Sequence, residues 1–232
     1  IDYTRLRSDC GRLMKHLNAS ASVRVTAPGG TDVTIGLKGR KSKPDDGDFR
    51  RPGSAGNVPS GEVYVSPELG SASGVIAFDG SIVLSEGEIV IRTPIVAEIA
   101  NGFITNLSGR SEAKALRSSI AAGQSKARKM ASKGELPKKD LESYLKNAAA
   151  IGELGIGLNR RARIVANMLE DEKVYGTCHF AVGSNYDGDG EALIHLDGLV
   201  KSPTMVAISS SGKEQSIMER GRLVWDWREV KA

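Results

Sequence analysis

No stretch of this 232-residue chain approaches the roughly 18 uninterrupted apolar residues that a membrane-crossing helix needs, so no helical span is expected. Cysteine is nearly absent. Cys10 and Cys178 stand far apart and give no disulfide framework, which favours a reducing, cytoplasmic setting. The opening residues, Ile1-Asp2-Tyr3-Thr4-Arg5, include neither an initiator Met nor a signal-peptide pattern. A fragment or processed product is expected, with an N-terminal domain cut away or separate. A strong bias of charge is lacking too, since 32 basic against 28 acidic residues leave a net +4. The basic cluster of residues 117–139 (Lys126, Arg128, Lys129, Lys133, Lys138, Lys139) has no interleaved aromatics. It reads as a solvated helix face, and nucleic acid is not an expected partner.

What the chain does have is ordinary globular composition, 40% hydrophobic and 26% charged, with 27 glycines concentrated in turn-like clusters. Leu6, Cys10, Leu13, Met14 and Leu17 recur at helical spacing, predicting an amphipathic helix over 3–18. Two strands over 22–26 and 32–37 flank Pro28-Gly29-Gly30, a hairpin signal. Residues 39–57 are charged, rich in Gly and Pro, and read as a loop. Short β-branched runs at 63–65, 75–78, 89–91 and 103–107 predict a meandering sheet. Helices are expected over 111–131 and 138–149, and strands over 175–182, 192–200 and 205–208. The predicted class is α+β, a strand-dominated mixed or antiparallel sheet with a few flanking helices, as one domain over 1–232.

Two of the three histidines fall in one predicted hairpin. His195 and Asp197 are two apart on a strand and share a face. A hairpin centred near Asp187 sets His179 opposite His195. Two imidazoles and a carboxylate on one face form a candidate site for zinc, manganese, cobalt or iron. Buried polar residues satisfied by neighbours are the structural alternative. Cys178, adjoining His179, faces the other way. Glu62 enters an apolar strand from a tight turn, and Glu153 sits in the Gly-rich stretch Gly152-Glu-Leu-Gly-Ile-Gly157. Each alone is compatible with an ordinary turn glutamate. Asn185, Asp187, Asp189 and Gly190 mimic the start of a calcium-binding hand, but its closing position holds Leu196 instead of Glu, which excludes that reading.

Taken in order, Gly30-Thr31-Asp32, Asn57-Val-Pro-Ser-Gly-Glu62-Val, Glu153-Leu-Gly-Ile-Gly157, Asp171-Glu-Lys-Val-Tyr-Gly-Thr-Cys-His179-Phe-Ala-Val-Gly183 and His195-Leu-Asp197 resemble the catalytic half of the aminopeptidase T metallopeptidases. The resemblance implies Glu62, Glu153, His179, His195 and Asp197 as ligands of two divalent ions (zinc, cobalt or manganese). It also implies Tyr186 at the site, Glu153 and Tyr186 in catalysis, a peptide substrate and a homodimer. Three carboxylates and a bridging hydroxide would balance two divalent ions, and such a pair suits peptide hydrolysis. The short span between His179 and His195 departs from that family. The scaffold also resembles dihydroxypyridine ring-cleaving dioxygenases, in which one Fe(II) would need only His179, His195 and Asp197. A non-catalytic metal- or partner-binding module is the third reading.

Overall fold

The computed structural model describes residues 1–225; positions 226–232 of the expected domain lie outside the described residues. In chain order the elements are α1 (Tyr3–Asn18), β1 (Ser22–Thr26), β2 (Asp32–Gly36), β3 (Lys43–Asp45), β4 (Glu62–Val65), β5 (Ser73–Phe78), β6 (Ser81–Leu84), β7 (Gly87–Val90), β8 (Ile95–Ala100) and β9 (Phe103–Ser108). They continue with α2 (Ser111–Ser132), a 3-10 turn (Lys138–Asp140), α3 (Leu141–Asn147), β10 (Ile151–Gly157), α4 (Met168–Asp171), β11 (Thr177–Gly183), β12 (His195–Lys201), β13 (Thr204–Ile208), β14 (Glu214–Glu219) and β15 (Arg222–Leu223). The α+β class is as expected.

The strands form two sheets. One runs β15-β14-β13-β1-β2-β5-β8-β9 and the other β3-β4-β10-β11-β12-β6-β7. Alternation along the strands explains the core. Val23, Val25, Val33 and Ile35 face inward from the first sheet, and Val63, Val65, Leu154, Ile156, Cys178 and Phe180 from the second, in one apolar cluster. Helix α1 adds Leu6, Cys10, Leu13 and Leu17 to it and starts where the Asp2 carboxylate accepts the Arg5 amide N–H at 3.0 Å. Both cysteines are buried free thiols, each pushed well up by burial. On α2, Lys126, Arg128 and Lys129 are exposed, consistent with a solvated basic face. Among the described residues no helix is long and apolar enough to cross a membrane.

Three expectations need correction. The Gly-rich stretch 152–157, where the sequence makes Glu153 compatible with a turn, belongs to the fully buried strand β10 between β4 and β11. The charged stretch 39–57 contains the edge strand β3. The hairpin of β11 and β12 is centred on Asp189 instead of Asp187, because Gly183 pairs with His195 and His179 with Leu199. His179 and His195 are therefore not opposite one another. They still share a face, because the displacement is an even number of residues.

Candidate metal centre

The outer face of the second sheet is built from alternate residues of four neighbouring strands. Register aligns Tyr64 with Gly155 and Gly155 with His179, while Glu153 pairs with Ala181 and Ala181 with Asp197. Glu62 faces Gly157 one step along. Glu62, Glu153, His179, His195 and Asp197 thus come from β4, β10, β11 and β12 onto one side.

Gly155 makes room for the central imidazole. A Cβ there would overlap Nε2 and Cε1 of His179 and stand 2.8 Å from Cδ2. The ring occupies the space where another strand residue would carry its side chain, and this is why β10 tolerates glycine in its interior.

His179 Nε2 lies 3.2 Å from Glu153 Oε1 and 3.4 Å from Glu62 Oε2. His195 Nε2 lies 3.4 Å from Asp197 Oδ1 and 3.8 Å from Glu153 Oε2. The His195 Nδ1 must carry hydrogen, since it donates to the Ser184 carbonyl at 2.8 Å, which leaves Nε2 as the nitrogen facing the pocket. Among the described residues, Glu62 Oε2, Glu153 Oε2, Asp197 Oδ1 and His179 Nδ1 are buried with no hydrogen-bond partner. Carboxylate oxygens buried without a hydrogen bond are costly unless a cation meets them, and here it is the two imidazoles, at 3.4–3.8 Å, that do so.

The electrostatics point the same way. Burial, with the charges of Glu172 and Glu153, pushes the Glu62 carboxyl up to about 8 against the pull of His179 and Lys173. Burial also raises Glu153, opposed by both imidazoles. For His179, burial lowers the pKa, but Glu153, Glu62 and Asp197 outweigh it and lift it to about 10. His195 behaves alike and reaches about 9 through Asp197 and Glu153. Asp197 is the exception: burial pushes it up, and the neighbouring imidazoles and Lys173 hold it below the ordinary value. The pocket retains protons because it is short of positive charge.

Two groups of side chains are placed to hold a metal ion, Glu153–His179–Asp197 and Glu62–Glu172–His179. They differ in one respect that sequence reading missed. Lys173, wholly buried, sets its ammonium 2.6 Å from Glu62 Oε1 and 3.4 Å from Asp45 Oδ2, and also bonds Glu172. Those carboxylates hold the Lys173 pKa up although burial works to lower it. The second group thus already has both carboxylates on a fixed cation; the first has none. Glu172 and Asp45 were also missed. The only signal was charge inside the motif Asp171-Glu-Lys, which carries no periodicity.

Tyr186 stands at the rim, 4.9 Å ring-to-ring from His195 and 5.7 Å from Tyr64, and is 58% exposed. A cavity of about 240 Å³ reaches from Pro44, Asp45 and Asn57 down to Glu62, Glu153, His195 and Asp197. A larger cavity, about 470 Å³ beside Arg5, Asp9 and Arg160, contains none of the cluster residues.

The family profile NicX, 2,5-dihydroxypyridine 5,6-dioxygenase, matches residues 2–206. The 2,5-dihydroxypyridine dioxygenase of Pseudomonas putida KT2440 superposes with a TM-score of 0.73 at 22% identity, covering 94% of this chain and 59% of its own. Wild-type AmpT from Thermus thermophilus superposes with a TM-score of 0.68 at 18% identity, covering 95% of this chain and 55% of its own. At these identities the likeness is one of fold, and the chain spans less than two thirds of either relative. No curated protein matches. The profile match overturns the aminopeptidase T resemblance, and with it the hydrolase, protease and peptide-substrate expectations. The pair of zinc, cobalt or manganese ions also loses its support, because Lys173 already neutralises part of what the second ion would meet.

Proposed function

The chain belongs to the NicX family of 2,5-dihydroxypyridine 5,6-dioxygenases, and from that membership we propose that it opens a hydroxylated pyridine ring with dioxygen at a single Fe(II) centre. The observation that carries this reading is the gathering of Glu153, His179 and Asp197 on one sheet face, with His195 Nε2 joining them 3.4 Å from Asp197 Oδ1. That donor set fits iron: His179, His195 and Asp197 would hold it as a two-histidine, one-carboxylate triad. Iron bound there would supply the redox chemistry for ring oxidation by dioxygen.

The remaining residues have roles of their own. The Ser184 carbonyl fixes the His195 tautomer, so its Nε2 needs no rearrangement to bind. Glu153, buried and raised in pKa, has a free Oε2 facing the pocket and can take the proton of a ring hydroxyl. Lys173 keeps Glu62 from competing freely for the ion. The cavity is of a size for one small ring, with Tyr64, Tyr186 and His195 forming part of its wall. Its acidic lining disfavours a substrate bearing a carboxylate.

The test is oxygen uptake by protein reconstituted anaerobically with ferrous iron. About one iron per chain is expected, with dioxygen consumed as the absorbance of 2,5-dihydroxypyridine falls. Two tightly held ions, or one iron with no oxygen uptake from any hydroxylated pyridine, would overturn the proposal.

A further inference from the structure

The Asn185–Gly190 segment, which looks like half a calcium hand, is bound by a side chain instead. Arg40 Nη2 meets Asp189 Oδ2 at 2.6 Å, and Nη1 meets Asp187 Oδ2 and Asp189 Oδ1 at 3.3 Å each. Lys43 Nζ adds Asp187 Oδ1 at 3.0 Å and the Tyr186 carbonyl at 3.3 Å. Within the loop, Asn185 Oδ1 accepts the amides of Asp187, Gly188 and Gly190, and its Nδ2 donates to Asp189. The Arg40 side chain is only 12% exposed, unusual for a surface ion pair. Tyr186 lies between these anchors, its amide on Ser66 Oγ at 3.3 Å and its ring over His195.

We propose that Arg40, assisted by Lys43, is a positioning residue that latches the 184–194 loop through Asp187 and Asp189 so that the Tyr186 ring forms the wall of the substrate cavity above His195. Residues 191–194 are held by Tyr144 and Asn147 on Glu191 and by packing of Leu193 and Ile194. The 185–190 turn, by contrast, is polar, carries Gly188 and Gly190, and has a largely exposed Tyr186 ring, so there the ring contacts alone are a weak tether. A forked guanidinium on two carboxylates fixes both distance and angle, which one ammonium does not. The latch joins two segments distant in sequence at the edge of the sheet, away from the apolar core. Its loss should therefore alter the cavity wall more than the fold.

The inference rests on the dioxygenase reading for its kinetic arm only. In iron-loaded protein, Arg40→Ala should raise KM for 2,5-dihydroxypyridine about tenfold with kcat within twofold, and Arg40→Lys should recover part of the loss. Tyr186→Ala should raise KM similarly, and the double variant should be no worse than Tyr186→Ala alone. Additive losses, or a KM untouched by Arg40→Ala, would overturn the latch. If the wild type leaves 2,5-dihydroxypyridine unchanged, the functional reading falls, and hydrogen exchange decides the latch by itself. Amides of residues 185–190 exchanging at least ten times faster in Arg40→Ala, with α1 and β11 unchanged, support it; equal exchange overturns it.

Discussion

Gly155→Ala is the smallest change that should disable the centre. The Gly155 backbone is not in the left-handed region, so alanine introduces no strain of its own there. What it introduces is one methyl group under the His179 imidazole, 2.8 Å from Cδ2 and nearer still to Nε2 and Cε1. Carbon atoms prefer about 3.5–4.0 Å, so the methyl and the ring cannot both keep their places. His179 is fully buried between β10 and β12 and has nowhere open to swing. Overpacking of this kind costs about 1–3 kcal/mol. In a chain of this size that lowers Tm by very roughly 2–12 °C. Whatever strain the fold does not absorb must move the ring, and a displaced donor should weaken iron binding by about 10-fold or more. The assay pairs a thermal melt with a ferrous-iron titration. Gly11→Ala is the control: it lies inside α1 with nothing within 4 Å of the new methyl, and should be neutral or stabilising by up to about 1 kcal/mol. A Gly155→Ala protein with wild-type Tm and wild-type iron affinity would refute the account of why β10 carries glycine.

Lys173→Met should destabilise the protein by about 3–5 kcal/mol in a denaturant titration, since it strands Glu62, Glu172 and Asp45 without their shared cation; a change below about 1 kcal/mol would mean these carboxylates are neutral in the fold. His195→Ala should lower iron affinity by about 10- to 100-fold while leaving the melt within a few degrees, because the side chain is partly exposed at the rim; unchanged affinity removes it from the ligand set. Glu153→Gln keeps shape and loses basicity, so kcat for oxygen uptake should fall by about 100-fold with iron still bound, and equal turnover would assign the proton elsewhere.

The elements that could be read from sequence were those whose pattern is local. Helix α1 shows its apolar spacing outright, and the hairpin of β1 and β2 is announced by Pro28-Gly29-Gly30. The His-x-Asp pair on β12 was legible because two residues on a strand share a face whatever the strand pairs with. His179 joined them despite a misjudged hairpin centre, since an even slip preserves the face. Strand β10 was not legible: its glycines lower strand propensity, and what fills their space comes from elsewhere, the His179 ring at Gly155 and the Ser184 and Val174 carbonyls at Gly152 and Gly157. Lys173 was equally hidden, because the carboxylates it joins, Asp45 and Glu62, lie more than a hundred residues away. Without that ammonium, Glu62 looks as available to a second ion as Glu153 is to the first. One ion instead of two is therefore favoured by a tertiary contact.

The five clustered residues all hang from β4, β10, β11 and β12, neighbours in one sheet whose separations are set by main-chain hydrogen bonds. The segments that shape the cavity mouth, 38–57 and 184–194, are connections outside those strands. Inheritance can therefore act on the two parts largely apart, with Asp45 on Lys173 and the Ser184 carbonyl on His195 as the links between them. A lineage can lengthen, shorten or replace a rim segment and acquire a new substrate while the chelating face passes down unaltered. For protein engineering the same division recommends diversifying the rim and leaving the four strands untouched.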